Sequence, residues 1–209
     1  MSDAADGAGF PWETLLDRLS ALYRTGDWRR PYLRDHAEDP FQVLIGTILS
    51  QRTRDANTDV ASARLFARFP DPERLARARP SVLEPLIRPV GFYRAKSRAI
   101  RAVAQEILRR HGGEVPREYD QLVALPSVGP KTANCVLVFG FGLPAIPVDT
   151  HVHRIANRLG VVRTRTPAGS GRCTTPLSTV TAAPASAKPA AWYQAVVQIR
   201  PAPILCGKL

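Results

Sequence analysis

Residues 119–142 read YDQLVALPSVGPKTANCVLVFGFG, which predicts a short helix, a tight turn over residues 125–130 and a second helix that begins near Lys131. Pro130 suits the first turn of that second helix, where its missing N–H costs nothing, and Gly129 permits a backbone conformation closed to other residues. We expect the N–H groups of the turn and of the helix start to face outward and to hold a phosphate. A helical hairpin used only for packing is the alternative, since such pairs are common.

Lys131 stands at the positive end of the second helix of this hairpin. The helix dipole and partial burial both disfavour an ammonium ion, so we expect a neutral, nucleophilic amine. The chain has 25 arginines and only four lysines, and arginine stays protonated. A covalent mechanism that needs an amine therefore has few candidates. The alternative is that Lys131 is an ordinary surface residue.

A carboxylate follows eighteen residues after this lysine, in the segment 144–151, PAIPVDTH, where Asp149 is placed as the N-cap of another helix. A helix over 131–141 is roughly 15 Å long, and an extended segment 142–148 reaches roughly 23 Å. The chain can therefore return and set Asp149 beside Lys131. Such a pair can attack a sugar C1′, expel the base and stabilise the developing positive charge. The alternative is that Asp149 is only a helix cap.

Apolar residues recur at helical spacing over the first 160 residues, and no run of alternating strand residues interrupts them. The stripes are Leu15, Leu16, Leu19 and Leu22; Phe41, Leu44, Ile45, Ile48 and Leu49; and Ile100, Val103, Ala104, Ile107 and Leu108. We expect the basic side chains around the third stripe to face other directions. These are Arg94, Lys96, Arg98, Arg101, Arg109 and Arg110. The patterns indicate an all-α protein of about ten short helices.

Net charge and hydropathy narrow the class of partner. The 29 basic and 18 acidic residues give a net charge of +11, which favours a polyanion. Residues 161–209 contain no acidic and six basic residues and supply more than half of this excess. The sequence has no run of eighteen apolar residues and no signal-peptide pattern at its start. We therefore expect a cytoplasmic, nucleoid-associated protein that does not contact membranes.

The segments LPSVGPKTAN at 125–134 and PAIPVDTH at 144–151 resemble the endonuclease III family of helix-hairpin-helix DNA glycosylases, over roughly residues 41–162. The resemblance implies two helical subdomains with a DNA cleft between them. It also implies a base excision repair enzyme that flips a damaged pyrimidine out of duplex DNA, cuts its glycosidic bond and nicks the strand by β-elimination, with Lys131 as nucleophile and Asp149 as its partner. A glycosylase for another lesion or a mismatch, and a DNA-binding protein without catalysis, are the alternatives.

Two further stretches resemble the loops with which this family fills the gap left by a flipped base. In LSQRTRD at 49–55, Arg52 occupies the place of the family's inserted glutamine, with Gln51 beside it. In GFYRAK at 91–96, Phe92 is the candidate apolar wedge. Gln51 as a helix cap and Phe92 as a core residue are the alternatives.

The remaining DNA-binding candidates lie in the hairpin. They are Val128, Gly129, Lys131 and Thr132. Ser127 stands where many relatives have glycine, a departure that should be tolerated only if the turn needs no positive φ at this position.

The resemblance also implies a domain organisation and partners. We expect a six-helix module over 36–144, a second and incomplete module formed by 1–35 and 145–162, and an atypical, poorly ordered tail over 163–209. A monomer is expected to act on duplex DNA that carries a damaged base or an abasic site.

The C-terminal part departs from the family pattern. Most relatives bind a [4Fe–4S] cluster through four cysteines spaced C-x6-C-x2-C-x5-C, whereas this chain has only Cys135, Cys173 and Cys206. We predict no cluster and no metal, and we interpret Cys135 as a small buried thiol. An out-of-frame reading of the coding sequence beyond about residue 163 is one hypothesis that explains the missing acids and cysteines together.

Overall fold

The computed structural model describes most of the central part of the chain. The described residues are Thr14, 39–143, 145–160 and 162–171. All regular structure in them is helical, which confirms the all-α prediction for this part of the chain. The stripe predicted at residues 15–22 lies outside the described residues, as do Cys173 and Cys206. The chain divides into two compact units, Arg30–Leu143 and Met1–Arg29 with Pro144–Leu209.

The described part of the unit Arg30–Leu143 holds seven α-helices and one π-helical turn. They are α1 Pro40–Ser50, α2 Asp55–Phe66, α3 Pro72–Arg77, α4 Pro80–Leu86, α5 Tyr93–His111, α6 Tyr119–Val123, α7 Pro130–Cys135 and the π-helical turn Val136–Gly140. The other unit contributes α8, Thr150–Arg158, and a helical segment at residues 167–171.

Helix α1 is the central element of the larger unit. It begins after Asp39, whose carboxylate accepts a hydrogen bond from the N–H of Phe41 at 2.9 Å. The helix packs against α2, α5, α7 and the π-helical turn. The side chains of Leu44, Ile45 and Leu49 have no exposed surface. Burying each of them contributes about 1.5–3 kcal/mol, so the predicted stripe of α1 forms the core.

Helix α5 lies along this core and carries the third predicted stripe. Ile100, Val103 and Ile107 are fully buried. On a neighbouring face, Arg101 Nε and Gln105 Nε2 donate to the carbonyl oxygen of Ala76 in α3, at 3.3 and 3.4 Å. The helix thus joins α3 to the core. Its N-terminal end, at Tyr93, directly follows the loop that contains Phe92.

The second helix of the hairpin differs from the regular helix expected over 131–141. Six residues of α7 are followed by the wider π-helical turn Val136–Gly140. Gly140 packs so closely on the start of α1 that a Cβ there would lie 2.9 Å from Pro40 Cα. The change of helical period therefore falls where the backbone of the hairpin approaches α1.

The smaller unit is built around α8. Ser170 Oγ lies 2.7 Å from His153 Nδ1 and 2.5 Å from Thr164 Oγ1, and Ser170 is 1% exposed. Asn157 Oδ1 accepts a hydrogen bond from Thr164 N–H at 3.0 Å. These contacts attach residues 164–170 to α8, so this segment is ordered and differs from the poorly ordered tail that the sequence predicts. Residues 172–209 lie outside the described part of the chain.

Candidate nucleic-acid interface

Three short connections in the larger unit hold the candidate DNA-binding residues. We call residues 51–54 the first loop, residues 87–92 the second loop and residues 124–129 the hairpin turn. Each has one non-glycine residue with positive φ, and these are the only ones in the described residues: Arg52 at 53°, Phe92 at 59° and Ser127 at 60°. Such a conformation costs about 1–3 kcal/mol and persists where neighbouring contacts enforce it.

The hairpin turn corrects two expectations. Ser127 has a positive φ, so the turn does need the left-handed conformation there. Gly129, by contrast, has φ −104° and ψ 179°, which is ordinary extended backbone. The sharp bend lies two residues earlier than expected, because the N–H of Val128 turns back to donate to Leu125 O at 3.3 Å.

The four hairpin candidates differ in exposure. Lys131 is exposed, which contradicts the partial burial expected from the sequence. Val128 and Thr132 are buried, at 7% and 5% exposure, so their side chains help to fix the turn. Gly129 is partly exposed, and a Cβ there would meet no atom within 4 Å. The hairpin therefore presents a lysine and an open backbone on its surface.

Gln51 connects the first loop to the hairpin. It follows the last residue of α1, and its backbone N–H donates to Ile48 O at 3.3 Å, so it does cap that helix. Its side-chain Nε2 donates to Ser127 O at 3.3 Å and makes a longer contact of 3.5 Å with Thr132 Oγ1. In this structure the side-chain amide of Gln51 connects the first loop to the hairpin turn. The insertion of Gln51 into DNA stays a prediction.

Lys96 lies beneath the first loop and is 7% exposed. Its Nζ donates to Leu49 O at 2.7 Å, to Gln51 O at 2.5 Å and to Thr53 Oγ1 at 2.9 Å. Burial lowers the pKa of the Lys96 amine to about 8. The expectation that Lys96 faces away from the apolar stripe is wrong, since Lys96 lies four residues before Ile100 on the same face.

The second loop is joined to the first through Thr53. Its Oγ1 accepts a hydrogen bond from Gly91 N–H at 3.1 Å. The two backbones approach so closely that a Cβ on Gly91 would lie 3.1 Å from Arg52 O. A side chain at position 91 would force the backbone at Arg52 to shift by a few tenths of an ångström, so glycine suits this close approach. Thr53 Oγ1 accepts hydrogen bonds from both Lys96 and the second loop.

Phe92 and Arg52 are both displayed at the surface. Phe92 is 65% exposed, so the alternative that it is a core residue is excluded. Arg52 is also exposed. Next to Phe92, the guanidinium of Arg94 lies 5.5 Å from the ring centre of Tyr93, within range of a cation–π interaction. An aromatic ring and several cations thus border the two loops.

Asp149 belongs to the smaller unit. Its carboxylate accepts hydrogen bonds from the N–H groups of His151 and Val152, at 2.9 Å each, which confirms the N-cap prediction for α8. Lys131 belongs to the other unit. The pairing of Lys131 with Asp149 therefore stays a prediction.

A [4Fe–4S] cluster of the kind that the resemblance implies does not fit the cysteines of this sequence. Such a cluster takes four thiolates, and the chain has three cysteines. Cys135 is buried in α7, in the unit that carries the hairpin. In the part of the chain that the structure describes, no three His, Cys, Asp or Glu side chains gather into a possible metal site.

Sequence reasoning missed the role of Lys96 and Thr53. Two signals were present. Lys96 is one of four lysines in an arginine-rich chain, and it continues the spacing of the apolar stripe of α5. A charged residue on a core-facing stripe indicates a buried polar contact, because an unpaired buried charge is costly.

Comparison with known protein families assigns the chain to one of them. A model described as HhH-GPD superfamily base excision DNA repair protein matches residues 45–171. This chain belongs to that superfamily. Within it, endonuclease III of Thermotoga maritima is 53% identical over 135 residues, which are 64% of this chain and 63% of that protein. The chain thus spans less than two thirds of the length of this relative.

Solved structures support the same assignment. A non-covalent endonuclease III–DNA complex matches with a TM-score of 0.67 and 33% identity, over 81% of this chain and 76% of that chain. A trapped endonuclease III–DNA covalent intermediate matches with a TM-score of 0.66 and 32% identity, over the same shares. The helix-hairpin-helix glycosylase fold predicted from the sequence is confirmed. Within the described residues, no helix has both the length and the apolar character needed to cross a membrane.

Proposed function

We propose that the chain is a base excision repair DNA glycosylase with abasic-site lyase activity, acting on oxidised pyrimidines in duplex DNA. The observation that carries the proposal is the exposed Lys131 at the second residue of α7, directly after the hairpin turn. Support comes from the similarity to endonuclease III and from a solved relative trapped as a covalent DNA intermediate. We also propose a cytoplasmic location, which agrees with action on chromosomal DNA.

In the proposed reaction, Lys131 Nζ bonds to C1′ of the damaged nucleoside while the bond between C1′ and the base breaks. The base leaves with the electron pair and takes a proton from solvent. Asp149 accepts the proton that the attacking amine loses and stabilises the developing positive charge on the sugar. In this proposal the amine is the nucleophile and the carboxylate its base.

The C1′–O4′ bond of the sugar ring then breaks, O4′ takes the proton held by Asp149, and a protonated Schiff base forms between Nζ and C1′. Loss of a C2′ proton expels the 3′ phosphate and cuts the strand, after which water hydrolyses the imine and releases Lys131. The neighbouring loops have a separate task. Arg52 and Phe92 are proposed to enter the space that the flipped base leaves, which offsets a flipping cost of a few kcal/mol.

The test is borohydride trapping on three duplexes that carry an abasic site, thymine glycol or a G·T mismatch. We expect a covalent adduct with the abasic-site and thymine glycol duplexes. We expect none with Lys131→Ala or with Lys131→Arg, and the arginine variant keeps the positive charge as the matched control for DNA binding.

Three outcomes would count against parts of the proposal. An adduct that survives both Lys131 variants would assign the nucleophile elsewhere. Adduct formation on the mismatch duplex and not on thymine glycol would replace the proposed substrate class. Wild-type DNA binding with neither an adduct nor release of a base on any duplex would identify a DNA-binding protein without catalysis.

A further inference from the structure

We infer that Lys96 is a positioning residue that holds Arg52 and Phe92 in the backbone conformations needed to enter the DNA stack, an inference that rests on the proposed function. Lys96 touches neither the reacting atoms nor DNA in this assignment. It acts through the first and second loops, by hydrogen bonds from a buried amine.

The contacts of Lys96 surround the strained residue of the first loop. Its Nζ donates to the carbonyl of Gln51, directly before Arg52, and to the hydroxyl of Thr53, directly after it. Both neighbours of Arg52 are therefore bonded to one ammonium group. A residue at φ 53° persists when its surroundings enforce that conformation, and these two bonds lie where such enforcement is needed.

The same residue also reaches the second loop. The backbone N–H of Lys96 donates to Phe92 O at 3.0 Å, which is the first helical bond of α5. Thr53 Oγ1, which Lys96 contacts, accepts from the N–H of Gly91, directly before Phe92. The backbone bond would form with any residue at position 96, so the buried amine is linked to Phe92 through Thr53 and Gly91 and to Arg52 through both of its neighbours.

A purely structural role for Lys96 predicts a different pattern. Its bond to Leu49 O caps the end of α1, and this contact would serve stability alone. Stability of the core does not require strain at side chains that are exposed, and Phe92 is 65% exposed. The strain lies at residues directed to solvent, which is the pattern expected of a site preorganised for a ligand.

The experiment compares two loop variants with a control in the full chain, and Lys96→Arg serves as the rescue variant. Lys96→Met removes the donors and keeps the length of the side chain, and Thr53→Val removes the shared hydroxyl with little change of shape. The control is Ser97→Ala, which alters a fully buried neighbour in α5 whose Oγ donates to Arg94 O at 2.9 Å and not to the loops.

Two measurements separate positioning from folding. The first is the affinity for a duplex with a tetrahydrofuran abasic-site analogue relative to the same undamaged duplex, with 2-aminopurine beside the site to report insertion. The second is borohydride trapping on a single-stranded abasic oligonucleotide, where no duplex stack has to be filled.

We expect Lys96→Met and Thr53→Val to lower the affinity ratio at least tenfold and to abolish most of the 2-aminopurine response. Trapping on the single strand should stay within twofold of wild type, as should every property of Ser97→Ala. Lys96→Arg should recover part of the affinity ratio, because it restores donors.

The inference fails if both loop variants keep the affinity ratio of Ser97→Ala, or if single-strand trapping falls as much as the duplex response. If Lys96→Met does not fold, Thr53→Val decides the question by the same criteria. Failure of the proposed function looks different, since wild type itself would then form no adduct on either strand form.

Discussion

The first loop and the hairpin turn each hold a non-glycine residue with positive φ, at 53° and 60°, but these residues are supported in different ways. Arg52 in the first loop is held on both sides by the buried amine of Lys96. Ser127 in the hairpin turn is held by the turn bond of Val128 and by the exposed amide of Gln51. Because only the first loop has a buried support, we predict that the strain at Arg52 serves DNA binding and that the strain at Ser127 does not.

The largest expected effect comes from replacing, one at a time, the two lysines that belong to these regions. Lys131→Met should reduce adduct formation by roughly a thousandfold or more and leave the melting temperature unchanged, because the side chain is exposed. Lys96→Met should lower the melting temperature and keep single-strand trapping, since it removes the amine that donates to Leu49 O and leaves Gln51 O with only the bond from Thr53 Oγ1 at 3.3 Å.

Trapping assays and thermal melts on the two variants test whether one loses trapping and the other loses stability. Lys131→Arg is the matched control for charge at the hairpin. If both variants lost trapping and stability together, the two regions would form one functional unit and the contrast between them would be wrong.

Two glycines provide the next largest difference. Gly91→Ala places a Cβ 3.1 Å from Arg52 O, a backbone atom, so the first and second loops must separate. We expect a loss of about 1–3 kcal/mol in the free energy of unfolding and a fall in preference for the abasic-site analogue. Gly129→Ala meets no atom within 4 Å and should stay within about 0.5 kcal/mol of wild type.

Urea denaturation of both variants checks this expectation. A neutral Gly91→Ala would mean that the two loops are more adaptable than their close approach indicates. A destabilised Gly129→Ala would mean that the hairpin backbone is confined by contacts beyond the described ones.

The apolar periodicity that predicts α1 and α5 succeeds because burial of Leu44 or Ile100 depends on local spacing alone. The cap of α8 at Asp149 is equally local. Ser127 could not be predicted, because its φ follows from how the turn closes on Leu125. Lys96 could be placed on the core-facing stripe, but its three acceptors come from another part of the chain and become neighbours only in the fold.

A pH titration should separate the hydrogen bonds of Lys96 to the first loop from its contribution to the free energy of unfolding of the chain. The pKa of Lys96 is about 8 in the folded chain and 10.5 when unperturbed, so between these values the unfolded chain binds more protons. The free energy of unfolding attributable to Lys96 therefore rises with pH across this window, as the buried charge is neutralised. A neutral amine has two donors for three acceptors, so loop support weakens by about 1 kcal/mol over the same range.

The measurement is urea denaturation and the 2-aminopurine response from pH 7 to pH 10, each compared with Lys96→Met to remove the contribution of other groups. Above pH 8, we expect the difference in free energy of unfolding between wild type and Lys96→Met to rise. The difference in 2-aminopurine response between the same two proteins should fall. Parallel changes would show that Lys96 supports the loop only through global stability.

The smallest effect is expected at the hairpin turn. Ser127→Gly relieves a positive φ that costs about 1–3 kcal/mol and adds about 0.5–1 kcal/mol of chain entropy to the unfolded state, so the net change is a gain of about 0–2.5 kcal/mol. DNA affinity should not change, because the side chain of Ser127 has no proposed contact. Arg52→Gly relieves similar strain but removes the inserted side chain, so it should lower the affinity ratio for the abasic-site analogue while gaining stability. Thermal melts and binding to the two duplexes test the pair, and a loss of affinity in Ser127→Gly equal to that in Arg52→Gly would make the strain of the hairpin turn functional as well.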